Sequence, residues 1–128
     1  MKGLRVLLAE DNELNMEIAR FFLQELGAES VPVWNGQEAL ERFADSAPGE
    51  FDMILMDVMM PVMDGYEATR RIRALPRADA KTIPILAMTA NAFSDDVRRS
   101  REAGMNAHLS KPLSEESLHR AMAEQVKK

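Results

Sequence analysis

Short apolar runs rich in branched residues alternate with longer amphipathic stretches along this chain, five times over. Most of the runs are continuously apolar, which is typical of strands that helices cover on both faces. The pattern predicts strands at residues 4–9, 29–33, 53–57, 83–88 and 107–109. It predicts helices at residues 13–26, 37–44, 65–75, 95–103 (after a Ser94 cap) and 115–126. Strands and helices that alternate with short connections indicate an α/β domain with a parallel sheet.

The composition narrows the chemistry open to this domain. The 128 residues are 46% hydrophobic and 29% charged, as in an ordinary globular protein. Cysteine is absent, which excludes disulfides and thiolate chemistry and favours a reducing cytoplasmic setting. The first apolar run ends before Glu10, too soon for a signal peptide or a membrane span, so we expect no membrane contact.

A formal net charge of −5 disfavours nucleic-acid binding by the chain as a whole. Local arginine clusters are nevertheless present, and we expect them to form solvated helix faces. They comprise Arg70, Arg71, Arg73, Arg98, Arg99 and Arg101.

Polar residues stand where four of the predicted strands end, at the edge where open parallel sheets bind ligands. They are Glu10, Asp11, Asp57, Thr89, Lys111 and the small Ala90. Close carboxylates repel each other by about 4 kcal/mol per pair at an effective dielectric constant near ~20. A hard divalent cation such as Mg²⁺ would offset this repulsion. A lysine and a threonine hydroxyl suit a phosphoryl group.

Each of these residues also has a purely structural interpretation. Glu10 and Asp11 could cap the first helix, as could the asparagine that follows them. Asp57 could direct a turn, the threonine could bond to nearby backbone, and Lys111 could be an ordinary surface lysine. A shared site is favoured because all of them fall at strand ends of one sheet.

Four stretches resemble the receiver domain of two-component response regulators, in their order and spacing as well as their residues. They are "VLLAEDNELN", "ILMDVMMPVMDGYEATR", "ILAMTANAF" and "AGMNAHLSKPL". The resemblance implies a flavodoxin-like (βα)5 fold with strand order 2-1-3-4-5. We expect a single receiver domain over residues 1–128 with no output domain, which is either a single-domain receiver or a piece of a larger kinase. The Lys111–Pro112 peptide is usually cis in this family.

The resemblance implies that Asp57 is the phosphoacceptor. Its donor would be the phosphohistidine of a histidine kinase dimerisation and phosphotransfer domain, or of a histidine phosphotransfer protein. The implied ligands of Mg²⁺, or of Mn²⁺ as a substitute, are Asp11, Asp57, Glu10 through a water, and the backbone carbonyl of Met59. The implied phosphoryl contacts are Met59, Thr89, Ala90 and Lys111. Such a domain catalyses its own phosphorylation and its own slow dephosphorylation. Phosphorylation changes the conformation of the surface formed by residues 95–126.

His108 stands where the family commonly has tyrosine or phenylalanine. Together with "AGMN" and "MDGYEATR", it is similar to receivers of hybrid sensor kinases and phosphorelays. The resemblance implies that it acts as a switch with Thr89. Alternatively, it is a partly exposed histidine at the end of an edge strand.

The first helix carries two apolar stripes on roughly opposite sides. We assign the fuller stripe to the core: Met16, Ala19, Phe22, Leu23 and Leu26. The other, Leu14, Ile18 and Phe21, is then exposed beside the strand-end site, as a docking surface would be. The resemblance implies the helices that carry the donor histidine as its partner.

Two other functions compete with the receiver interpretation. A Mg²⁺-dependent hydrolase of the haloacid-dehalogenase type also uses an aspartate nucleophile at a strand end, but such enzymes have a second aspartate two positions on. Met59 occupies that position here. A receiver that serves only as a binding module is disfavoured because the residues expected for phosphorylation are all present: Asp11, Asp57, Thr89 and Lys111.

Overall fold

A computed structural model describes residues 2–90 and 94–126, the side chains of residues 94–96 excepted. Within these ranges the strands are β1 Arg5–Ala9, β2 Glu29–Val33, β3 Met53–Asp57, β4 Ile85–Thr89 and β5 Ala107–Ser110. The helices are α1 Glu13–Glu25, α2 Gly36–Ala44, α3 Gly65–Arg73, α4 Ala78–Thr82, α5 Ser94–Ala103 and α6 Glu115–Val126. None of these helices is both long and apolar enough to cross a bilayer. The predicted Ser94 side-chain cap lies outside the described part, as do residues 91–93 of the third motif.

The described strands form one parallel sheet in the order β2-β1-β3-β4-β5, which confirms the predicted order. β3 and β4 lie inside the sheet and are buried along their whole length. This burial explains why their sequences are continuously apolar instead of alternating. Asp57 is therefore the one charged residue of a strand that is otherwise hydrocarbon and thioether.

Side chains that alternate along each strand divide the core into two clusters, one on each face of the sheet. Leu7, Ile54 and Ile85 belong to the cluster that α2, α3, α4 and α5 cover. Leu8, Leu55 and Leu86 belong to the cluster beneath α1 and α6. The sheet is thus held between two helical layers, with its carboxyl edge left accessible.

Four helices begin at residues whose side chains accept a hydrogen bond from the first turn. Asn12 caps α1, Asn35 caps α2, Asp64 caps α3 and Ser114 caps α6, with donor–acceptor distances of 2.9, 2.9, 2.8 and 3.1 Å. Gly27 and Gly104, predicted to close helices, have φ of 85° and 109°, a backbone region that favours glycine. The sequence signals for helix ends are therefore confirmed at these positions.

The chain between α3 and β4 differs from the prediction. α3 ends at Arg73 instead of residue 75, and the short helix α4 was not predicted. Leu75 precedes a proline, which disfavours the helical region, and five residues are too few to show a helical period. β4 begins at Ile85 instead of residue 83. The Ile83 N–H donates to the backbone carbonyl of Asp79, and this bond makes Ile83 the cap of α4 and not part of the strand.

Arg73 is not on a solvated face as predicted. Its guanidinium donates to the carbonyl of Gly104 at 2.8 and 3.1 Å and to that of Ala80 at 3.1 Å. Burial lowers the pKa of Arg73. Arg99 is exposed on α5, as predicted, and its guanidinium lies 4.5 Å from the ring centroid of Tyr66. Both arginines link α3 to the α5 region.

Candidate functional site

The carboxyl edge of the sheet brings together three charged residues that are far apart in the sequence. Glu10 follows β1, Asp57 ends β3 and Lys111 follows β5. Glu10 is 1% exposed and Asp57 is 3% exposed, whereas Asp11 lies on the surface. The backbone N–H of Lys111 donates to the Thr89 carbonyl at 2.8 Å, which joins the ends of β4 and β5.

Lys111 bridges the two buried carboxylates. Its ammonium lies 2.9 Å from Asp57 Oδ2, and 2.9 and 3.3 Å from the two oxygens of Glu10. Burial acts to lower the pKa of Lys111, but the hydrogen bonds that its ammonium donates to both carboxylates outweigh this effect, and the pKa is raised. Lys111 is therefore not an ordinary surface lysine, and its contact with Glu10 was not anticipated from the sequence.

The carboxyl group of Glu10 is poorly compensated. Burial, followed by the neighbouring Asp57 carboxylate, raises its pKa to about 7, and Lys111 offsets only part of this rise. Removal from water and a second carboxylate close by both disfavour the charged form of an acid. Additional positive charge would stabilise the pair.

The residues present fit a hard divalent cation. Oxygen atoms of Glu10, Asp11 and Asp57 all lie within 4.8 Å of one another. Carboxylate oxygens are the donors that Mg²⁺ prefers, usually one or two of them together with waters. A cation here would also offset the burial and the Asp57 charge that raise the pKa of Glu10.

The capping interpretation of Glu10 and Asp11 is excluded by the start of α1, because Asn12 caps that helix. Asp57 accepts a hydrogen bond through Oδ1 from the backbone N–H of Met59 at 3.3 Å, two residues on, as a turn-directing aspartate does. Its two oxygens thus have different partners, a backbone amide and an ammonium group.

The loop after β3 ends at Gly65, which packs tightly against the backbone of Asp57. A Cβ added to Gly65 would lie 2.3 Å from the carbonyl oxygen of Asp57, so only glycine fits there. The Gly65 N–H donates to the Val58 carbonyl at 3.1 Å and closes the loop at its base. The Met59 side chain is 75% exposed, which leaves its backbone at the rim of the site.

Thr89, Ala90 and His108 lie on the neighbouring strands. Thr89 is buried at the end of β4, and Ala90 follows it at the surface. His108 is half-buried on the edge strand β5, opposite Ala87 and two positions before Ser110, which ends the strand. Its role as a switch stays a prediction.

The exposed stripe of α1 is present as predicted. Leu14, Ile18 and Phe21 are 64%, 37% and 57% exposed, whereas Leu23 on the other stripe is fully buried. Ile18 also lines a cavity of about 60 Å³ together with Glu10 and Lys111. The apolar stripe therefore adjoins the charged site.

Comparison with known proteins gives a consistent result. The sequence model of a family described as "Response regulator receiver domain" matches residues 6–123. A two-component response regulator of Oryza sativa subsp. japonica is 44% identical, over 91% of this chain and 90% of that protein. Histidine kinase 1 of Arabidopsis thaliana is 36% identical over 88% of this chain, which spans 12% of that kinase's length.

A solved structure is similar over almost its whole length. It is the receiver domain of a sensor histidine kinase from Pseudomonas aeruginosa PAO1, with a TM-score of 0.88 and 36% sequence identity. The alignment covers 98% of this chain and 99% of that one. In that crystal structure a magnesium ion is coordinated in the active site cleft.

Proposed function

The chain belongs to the response regulator receiver domain family of two-component and phosphorelay signalling, and on that premise we propose that Asp57 is its phosphoacceptor. The observation that carries the proposal is the contact of Asp57 with Lys111 at 2.9 Å, inside an acidic pocket at the carboxyl edge of the sheet. A nucleophile held by a cation at such an edge suits a transferable anionic group.

In the proposed step, one carboxylate oxygen of Asp57 attacks the phosphorus of a phosphohistidine on the donor protein. The P–N bond breaks, and its electron pair stays on the imidazole nitrogen, which takes a proton. The product on this chain is an aspartyl phosphate. A carboxylate nucleophile has no proton to lose, so the step needs positioning and charge stabilisation more than a general base.

We propose Mg²⁺ as the cofactor, with Mn²⁺ as a substitute. Asp11 and Asp57 would hold it through their carboxylates, Glu10 through a water, and Met59 through its backbone carbonyl. When bound, the ion would neutralise charge on the carboxylates and on the phosphoryl oxygens. The magnesium ion in the cleft of the similar P. aeruginosa receiver supports this choice.

The remaining strand-end residues would hold the phosphoryl group. Lys111 would exchange its contact with Asp57 Oδ2 for one with a phosphoryl oxygen. The Thr89 hydroxyl and the Met59 amide would donate to other phosphoryl oxygens, and Ala90 leaves room for them. Movement of Thr89 would be coupled to His108, shifting the face formed by α5, β5 and α6.

We propose the exposed stripe of α1 as the docking surface for the donor. The donor would be a histidine kinase phosphotransfer domain or a histidine phosphotransfer protein, and the exchange would take place in the cytoplasm. Ile18 belongs to the apolar stripe and also lines the cavity beside Lys111, so a helix packed on the stripe would bring its histidine close to Asp57.

Multiple-turnover hydrolysis is the less favoured function. A haloacid-dehalogenase-type enzyme needs a general acid two residues after its nucleophile, and the thioether of Met59 cannot donate a proton. The exposed position of the Met59 side chain also takes it away from the buried carboxylates.

The proposal is tested by phosphorylation with acetyl phosphate and Mg²⁺, resolved on a phosphate-affinity gel. Wild type is expected to give a retarded band and Asp57→Asn none. The matched control is Asp64→Asn, because Asp64 is an exposed acid in the same loop and asparagine caps a helix equally well. An unshifted wild-type band from folded protein would overturn the proposal.

A further inference from the structure

One backbone contact joins the loop after β3 to the start of α2. The Gly36 N–H donates to the Met63 carbonyl at 3.0 Å. Gly36 is buried and is the first residue of α2, so its amide belongs to a helix end that the core holds in place. Met63 lies six residues after Asp57 in the loop that carries Met59. The contact thus braces the loop from another part of the chain.

The glycine at position 36 is required by space. Its φ is not in the positive region, so backbone freedom does not account for the glycine. A Cβ added there would lie 2.2 Å from the Met63 carbonyl oxygen and 3.0 Å from that of Asp64. Both are backbone atoms, which cannot rotate away as a flexible side chain does. Any larger residue must push the loop off α2.

The braced segment is a strained turn. Val62 has φ of 69°, which a β-branched residue rarely adopts, and its side chain is 81% exposed. The Met63 N–H donates to the Pro61 carbonyl at 2.7 Å across this turn. Such a conformation persists only where its surroundings impose it. Gly36 on one side and the closure of Gly65 onto Val58 at the base are two such constraints.

The near end of the same loop reaches the reacting group. The Met59 N–H donates to Asp57 Oδ1 at 3.3 Å, and the buried Met60 anchors the segment in the core. We propose that Gly36 is a positioning residue. By admitting the close backbone contact with Met63, it holds the loop so that the Asp57 carboxylate and the Met59 carbonyl are preorganised for Mg²⁺. This inference rests on the proposed metal-binding function of that site.

The first test needs only the wild-type protein. It relies on the rule that two coupled equilibria affect each other by the same free energy. If the contact between Gly36 and Met63 favours Mg²⁺ binding, then Mg²⁺ must strengthen the contact by the same free energy. Exchange of the Gly36 amide hydrogen, followed by NMR, is therefore expected to slow when Mg²⁺ saturates the protein. The Gly49 amide is the control, because it is bonded to Asp79 near the opposite edge of the sheet.

The second test compares two glycine-to-alanine variants by calorimetric Mg²⁺ titration. Gly36→Ala is expected to bind Mg²⁺ about tenfold more weakly, the usual effect of losing support behind a metal ligand. Gly49→Ala is the matched control. Gly49 has φ of 81° and open space around it, so alanine strains the backbone there without touching the site. Its affinity for Mg²⁺ is expected to equal that of wild type.

The outcomes separate this inference from the function on which it rests. Wild-type affinity in folded Gly36→Ala would overturn the positioning role while leaving the proposed function in place. A Gly36 amide that exchanges at the same rate with and without Mg²⁺ would overturn it too, even if the variant fails to fold. A wild type that binds no Mg²⁺ would overturn both.

Discussion

At the scale of single residues, Glu10 carries the largest electrostatic cost in the site. Its carboxyl group is buried beside Asp57, and Lys111 is shared between the two acids. Burial first, and then Asp57, raise its pKa from 4.5 to about 7. Between pH 4.5 and about 7, Glu10 therefore keeps a proton in the folded protein that it has lost in the unfolded chain.

This proton difference predicts how stability depends on pH in metal-free protein. The contribution of Glu10 to the free energy of unfolding is fully present below pH 4.5. It is lost as the pH rises through about 7, because the buried carboxyl group then has to ionise. Glu10→Gln mimics the protonated acid and removes this loss. Above pH 7 we expect the variant to be more stable than wild type by about 3 kcal/mol, with little difference near pH 4.5.

Urea unfolding in a chelating buffer at several pH values measures this difference. Glu41→Gln is a suitable control, since Glu41 is an exposed acid on α2. A constant difference between wild type and Glu10→Gln from pH 4.5 to pH 8 would contradict the assignment.

The main residues of the site could be predicted from the sequence, because parallel strands deliver their carboxyl ends to one edge. Asp57, Glu10 and Lys111 are brought together as that rule requires. The sharing of Lys111 between two acids could not be predicted, since it depends on side-chain conformations. The brace at Gly36 was missed because it is a contact between backbones, and the one available signal was a glycine at the start of a helix.

At the scale of elements, α1 shows how one helix serves two surfaces. Met16, Ala19 and Leu23 are buried against the sheet. The opposite stripe, which includes Ile18, is exposed next to the site. Spacing at the helical period predicted this division, because each stripe recurs every three or four residues.

A charge placed on the exposed stripe is expected to impair docking without affecting the chemistry. Ile18→Glu should slow phosphoryl transfer from a phosphorylated histidine phosphotransfer protein by about tenfold or more, since it buries an unpaired charge in an apolar interface. Phosphorylation by acetyl phosphate should be unchanged. Transfer rates from both donors measure the effect.

Val126→Glu is the matched control for this experiment. Val126 is also an exposed apolar residue, 51% accessible, but it ends α6. Its transfer rates should equal those of wild type with both donors. An equal loss of both rates in Ile18→Glu would show that the substitution damages the site itself, and the docking role would be wrong.

The segment between α3 and β4 sets the limit of prediction at this scale. α4 has five residues and was missed because tertiary contacts, not periodicity, define it. Arg77 donates to Asp79 at 2.6 and 2.7 Å and to the carbonyls of Phe43 and Ser46. The bonds from Arg77 to Phe43 and Ser46 join residues far apart in the sequence and hold the short helix in place. Sequence spacing does not reveal them.

At the scale of the whole molecule, stabilising contacts and chemistry lie at opposite edges of the sheet. The connection from α2 to β3 is held by arginines at the amino ends of the strands. Arg5 and Arg42 lie 5.3 and 5.1 Å from the ring centroid of Phe51, and Arg77 lies 4.6 Å from that of Phe43. Substitution of Asp57 at the far edge should therefore leave this framework intact.

The central claim is that Asp57 receives the phosphoryl group. After incubation with acetyl phosphate and Mg²⁺, borohydride reduces an aspartyl phosphate to homoserine, and peptide mass spectrometry locates the reduced residue. We predict homoserine in place of Asp57, and none when Mg²⁺ is withheld. Reduction at another acid, or none in folded protein supplied with Mg²⁺, would contradict the account.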